Sequence, residues 1–158
     1  PKEPCFIIKI FDIRYLNLVN QFIIQMTNKS KKIVSEISAG ELLDKLSILE
    51  IKIDKIKNKI KLEEIKKEYN LLKETQKLNI EFTNDIQQLF DKIKKVNLSL
   101  WDIEDKIRVY EKNKDFGKDF IELARSVYIN NDERAKIKSK INELLGSNIR
   151  EIKEYADY

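Results

Sequence analysis

Over the second half of this chain the apolar residues recur at alternating steps of three and four. From Ile86 the run continues through Leu89, Ile93, Val96, Leu100, Ile103, Ile107 and Tyr110 without a miss. That spacing returns each side chain to one stripe of an α-helix, the seam along which long helices pair. A half-buried strand would instead alternate at every second residue. An earlier run, Ala39, Leu42, Leu46, Leu49, Ile53, Ile56 and Ile60, obeys the same rule. An all-β alternative needs turn residues about every 8–12 positions, and 158 residues hold only 3 glycines and 2 prolines. Charged residues make up 37% of the chain. Lys and Glu mixed with Ile and Leu suit solvent-washed helices.

The predicted class is all-α. Ser38-Ala39-Gly40-Glu41 has the spacing of a capping box, so a helix is expected to start there. After Ile60 the seam restarts out of phase with Leu62, Ile65, Tyr69 and Leu72. A phase slip predicts a break, placed near residues 59–62, with a second helix to about residue 78. The third helix is expected over about 80–112. At about 1.5 Å per residue it is about 50 Å long and needs a partner of matching length. The first two helices together supply one, so a long, coiled-coil-like antiparallel hairpin is expected over about 38–112.

Residues 113–117 read as the next connection. A fourth helix carries Phe120, Leu123, Ala124 and Val127. Asn130 and Glu133 stand at capping-box spacing and predict a new start, with a fifth helix carrying Ala135, Ile137, Ile141, Leu144 and Leu145. Gly146 sits where a helix end wants positive φ. Ser147-Asn148 is expected to cap a short last helix reaching Tyr155. These helices, about 116–157, would form a small C-terminal cap, and residues 26–158 read as one helical domain.

Residues 1–25 differ from the rest. The stretches Cys5–Phe11 and Phe22–Ile24 are apolar, but Lys9, Asp12 and Arg14 interrupt them. No uncharged run of about 18 residues is left to span a bilayer, and no signal-peptide pattern is present. Met26 is the one methionine. Translation is expected to start there, with residues 1–25 as an N-terminal extension; the competing reading makes Pro1 the start. Strand, amphipathic helix and disorder all stay open for this segment.

The absence of histidine removes Ser-His-Asp and Cys-His nucleophilic sites and every zinc site that uses imidazole. A single cysteine, Cys5, rules out an internal disulfide, zinc fingers and iron–sulfur ligation, and fits a cytoplasmic protein. The 31 basic residues face 27 acidic ones, a net of +4. The densest positive stretch, Lys52, Lys55, Lys57, Lys59 and Lys61 with Asp54 among them, is expected to be a solvated helix face rather than a nucleic-acid contact.

Three polar constellations are candidates for chemistry. Glu41 and Asp44, one turn apart, have the spacing with which all-α nucleotide pyrophosphohydrolases hold magnesium. The second acidic motif those enzymes need is missing, since Glu63-Glu64 and Glu68 are wrongly spaced. A helix-capping role is therefore expected, with no metal and no cofactor. Trp101, Glu104, Asp105 and Arg108 lie on adjoining strips of one helix face. They frame a ligand pocket, or else an ion pair beside a core-edge tryptophan. Glu122, Arg125, Tyr128, Asn131, Asp132 and Arg134 are varied polar residues amid Lys/Glu monotony. They suit either a ligand site or caps and buried ion pairs.

Several of these blocks carry a resemblance. Residues 40–52, GELLDKLSILEIK, resemble the opening of a small helical family of bacteria and their viruses, known as a domain of unknown function. Leu100–Asp105 with Arg108, Phe120–Arg125 with Tyr128, Asn131, Asp132 and Arg134, and Ile141–Ser147 are similar to its later blocks. The resemblance covers about residues 34–155, leaves out residues 1–25 and implies no activity.

The expectation from seam regularity is a non-catalytic helical interaction module, pairing with itself or with another protein. The alternative is a domain binding a small or phosphorylated metabolite at Trp101, Glu104, Asp105, Arg108 and the second polar block. Were it an enzyme, carboxylates and a metal would have to do the chemistry.

Overall fold

Ser38 acts as its position predicts. Its Oγ accepts from the amide of Glu41 at 3.2 Å, and α1 runs Ala39–Lys55. The other half of the capping box is not made, because Glu41 turns its carboxylate to Lys138 Nζ, 2.5 Å away. The computed structural model describes residues 33–154. By internal contacts the chain divides into two units, 1–35 and 36–158, and all four described helices belong to the second. The expectations for residues 1–25 lie outside the described residues.

α2 is Lys59–Asn79, α3 is Asn84–Asn113 and α4 is Lys118–Leu144. No strand occurs among the described residues, so the all-α class holds. The break between α1 and α2 falls at 56–58, earlier than the seam predicts. Asn58 sets it, since its side chain accepts from the amide of Lys61 at 3.1 Å and starts α2 there. Thr83 caps α3 in the same way, through the amide of Ile86.

The pairing differs from the expected hairpin. α1 and α2 do not form one long rod; they fold back on each other, and the antiparallel partner of α3 is α4. The 114–117 connection turns the chain, and Tyr110 Oη reaches Asp119 Oδ2 across it at 3.5 Å. α4 in turn runs antiparallel to α1, because Gly40, Glu41 and Asp44 meet Asn142, Lys138 and Arg134 in reverse order. Among the described helices, α1 thus packs against the other three, whereas the backbone of α2 closely approaches that of α1 alone.

α4 is one continuous helix through the expected break at Asn130. The amides of Asn130 and Asn131 bond back to the carbonyls of Ser126 and Val127, one turn earlier, instead of capping a new start. The short last helix does not form, and residues 147–154 are non-helical. Ser147 caps α1 instead, its Oγ accepting from the amide of Ala39 at 3.1 Å. Asn142 Oδ1 takes the next amide, Gly40, at 2.7 Å. The first amides of α1, which have no partner within the helix, are thereby satisfied.

One apolar cluster joins Leu42, Leu43 and Leu46 of α1 to Ile86, Phe90 and Ile93 of α3, Ile137 and Ile141 of α4, and Ile80. Leu43, Ile93 and Ile141 are wholly buried, each stabilising by about 1.5–3 kcal/mol relative to exposure. Gly40 allows α1 this close to α4, since a Cβ there would stand 2.6 Å from the carbonyl oxygen of Lys138. No helix among the described residues is long and apolar enough to cross a membrane.

Candidate functional site

Asp44 lies on the inner side of α1 and is buried. A carboxylate in that position must be met by donors or the fold loses several kcal/mol. Three donors meet it. Arg134 of α4 places Nε 2.8 Å from Oδ1 and Nη2 2.5 Å from Oδ2, a side-on bidentate pair. Asn97 of α3 adds Nδ2, 2.8 Å from Oδ1. One carboxylate therefore ties three helices together. Ser47, one turn on from Asp44, donates its hydroxyl to the Asp44 backbone carbonyl at 2.7 Å and accepts from Asn97 Nδ2 at 2.8 Å. Hydrogen bonding to Asp44 raises the Arg134 pKa above its already high ordinary value, outweighing the opposing effect of burial.

Beside this network a cleft of about 530 Å³ opens between α1, α3 and α4. Ile48 and Ile51 line it from α1, Asn97, Leu100, Trp101, Glu104, Asp105 and Arg108 from α3, and Asn131 and Arg134 from α4. The cleft therefore combines an apolar floor, a half-buried indole and opposed charges. Its entrance is partly self-paired. Arg108 Nη1 lies 2.9 Å from Glu104 Oε2 and donates to the Glu104 carbonyl, folding back along α3. Asp105 is exposed and makes no bond with any described residue.

The structure brings Trp101, Glu104, Asp105, Arg108, Asn131 and Arg134 to one cleft, as the ligand-site expectation requires. It leaves four candidates out of the lining. Glu122 is exposed and faces Lys118 at 3.7 Å. Arg125 Nε points to Tyr128 Oη at 3.5 Å on the exposed side of α4. Asp132 is half-buried away from the cleft. Glu41 and Asp44, the pair with metal-like spacing, do not converge on a cation site, since each is held by a cationic side chain of α4. No group of three or more potential ligating side chains gathers among the described residues.

Asn97 and Ser47 were not legible as site residues from spacing alone. A signal does exist: Ile86, Phe90, Ile93 and Asn97 continue one stripe of α3, and Asn97 is the polar member of it.

A second, smaller cluster fastens the C-terminal segment. Buried Lys138 lies between Glu41 and Glu151, with Nζ 2.5 and 2.6 Å from their carboxylates. Burial opposes its charge, but the bonds to Glu151 and Glu41 outweigh that and raise its pKa. The bond from Lys138 lowers the pKa of Glu151.

Fold and site together define a small all-α protein in which three helices share one buried carboxylate beside a tryptophan-lined cleft. The chain belongs to DUF6165, a family of unknown function, whose family model matches residues 32–157. No curated protein and no solved structure matches it.

Proposed function

We propose that this chain is a small-ligand-binding domain, taking a small polar molecule in the cleft between α1, α3 and α4. One observation carries the reading: two polar blocks distant in sequence meet around one concave, apolar-floored space. Pockets of about 300–1,000 Å³ with an apolar lining and a few fixed polar groups are the usual form of such sites. Asp44, Asn97 and Ser47 hold Arg134 in place, which is the support a binding group needs to keep its geometry. The indole of Trp101 offers a flat apolar face beside Asp105 and Arg108.

The test is a thermal-shift screen of the whole chain against nucleosides, nucleotides, amino acids, sugar phosphates and divalent metals. A ligand at about 100 times its Kd stabilises by about 2.7 kcal/mol, a rise in Tm of a few degrees at this size. The shift should disappear in Trp101→Ala while that variant keeps its own unfolding transition. A flat screen would remove the ligand reading and favour a helical interaction module. That second reading draws on exposed apolar side chains of α3, α4 and their connection, including Val109 at 57%, Phe116 at 49% and Ile121 at 55% exposure.

A further inference from the structure

The polarity of the hydrogen bonds behind the cleft determines which way Asn97 faces. Ser47 spends its one proton on the Asp44 carbonyl, so toward Asn97 it is an acceptor. Asp44 Oδ1, already salt-bridged to Arg134, is an acceptor too. Both contacts from Asn97 must therefore come from its NH₂ group, and turning the amide over would set oxygen against oxygen twice. Asn97 Oδ1 points elsewhere. Asn97 is 6% exposed, and its Oδ1 has no partner among the described residues. No fully buried side-chain oxygen or nitrogen among them lacks a partner, so this oxygen keeps some solvent exposure, on a residue that lines the cleft.

Arg134 is the complementary case. A guanidinium has five N–H donors. Nε and Nη2 face Asp44, and Nη1 leans on Asn131 Oδ1 at 3.4 Å. The outer Nη1/Nη2 edge has no further partner among the described residues, on a side chain that lines the same cleft. Asn97 Nδ2 and Arg134 Nε bond the same oxygen of Asp44. A spare acceptor and a spare donor edge, on two side chains that line the cleft, are thus tethered to one carboxylate oxygen. Because Asp44 already matches the charge of Arg134, this wall asks for no charged ligand.

We infer that the cleft reads a planar ring with a cis-amide edge, an N–H beside a C=O, as in uracil-type and hypoxanthine-type bases. The ring N–H donates to Asn97 Oδ1, the ring carbonyl accepts from Arg134, and the ring face lies against Trp101. The inference rests on the cleft being a ligand site and names the class of ligand.

Trp101 is the chain's one tryptophan, so its fluorescence reports this cleft directly. The experiment titrates the full chain with uridine and inosine, then with 3-methyluridine and 1-methylinosine, in which a methyl replaces the ring N–H. The expected result is a saturable change with uridine or inosine, and binding weaker by about tenfold or more for its methylated form, because the methyl strands a buried acceptor. Equal affinity for the two forms would overturn the amide-edge inference and leave the ligand site standing. So would a saturable response confined to glycine or to ribose 5-phosphate, which lack such a ring edge. No saturable response to any of these compounds overturns the inference; a flat thermal-shift screen as well removes the site reading. Because the decisive change is made in the ligand, the outcome does not depend on an Asn97 variant folding.

Discussion

At the scale of single residues, the Asp44–Arg134 pair decides most. Removing one partner of a buried ion pair strands the other charge, which typically costs about 3–5 kcal/mol, whereas replacing both by apolar residues of similar size is often near neutral. Arg134→Ala is therefore expected to lower the unfolding free energy by about 3 kcal/mol or more in urea. The double variant Asp44→Leu, Arg134→Met should lose less than Arg134→Ala alone. A loss below about 1 kcal/mol for Arg134→Ala would mean that the pair does not hold the three helices together. This role was hidden in the sequence. Spacing along a helix shows that Glu41 and Asp44 share a face, but it says nothing of a cation arriving from 90 residues away. Local spacing did expose Trp101, Glu104, Asp105 and Arg108 as a group, because three- and four-residue steps on one helix are neighbours by construction.

At the scale of elements, the helix ends tell more than the seams. Both long helices of the α3–α4 pair close with the same pattern of bonds. At the end of α4, Ser147 N bonds to Asn142 O and Gly146 N to Glu143 O, with Gly146 at φ 62°. At the end of α3, Asp115 N bonds to Tyr110 O and Lys114 N to Glu111 O, with Lys114 at φ 57°. Both are Schellman closures, and the left-handed position favours glycine because a Cβ there crowds the backbone. Gly146 was legible for this reason; Lys114 was not, since lysine gives no sign of positive φ. Lys114→Gly is expected to stabilise by about 1 kcal/mol, and Gly146→Ala to destabilise by a similar amount. Paired thermal melts should show Tm moving a few degrees in opposite directions. A fall in Tm for Lys114→Gly would mean that the exposed Lys114–Glu111 pair outweighs the backbone strain. The continuity of α4 was misread for a related reason. Asn130 and Glu133 have the spacing of a start signal, but the Asn130 side-chain amide donates back to the Ser126 carbonyl one turn earlier, and no new helix start forms there.

At the scale of the whole molecule, α1 is the hub. It is 17 residues long, yet it packs against each of the other three described helices, and its buried residues include Leu42, Leu43, Leu46 and Leu49. α2 is the opposite case. Among its 21 residues Gln76 is the one that is fully buried, and Ile60, Leu71 and Leu78 are exposed. Tyr69 and Leu72 pack partly on the core, and Tyr69 Oη donates to Glu50 at 3.1 Å. A helix held on one side by half-buried contacts should open without the rest. Local opening requires loss of only the contacts that the opened segment makes, so poorly buried elements exchange at lower free energy than the core. Hydrogen exchange under native conditions should accordingly rank the helices: slowest amides in α1 and in the Ile86–Ile93 and Ile137–Ile141 stretches, and faster ones throughout α2. The cleft is lined by α1, α3 and α4 and takes nothing from α2. A ligand bound there should slow exchange in α1, α3 and α4 while leaving the local opening of α2 unchanged. Equal protection of α2 and α1 would show that the four helices open as one cooperative unit, and that the sparse burial of α2 does not set its stability.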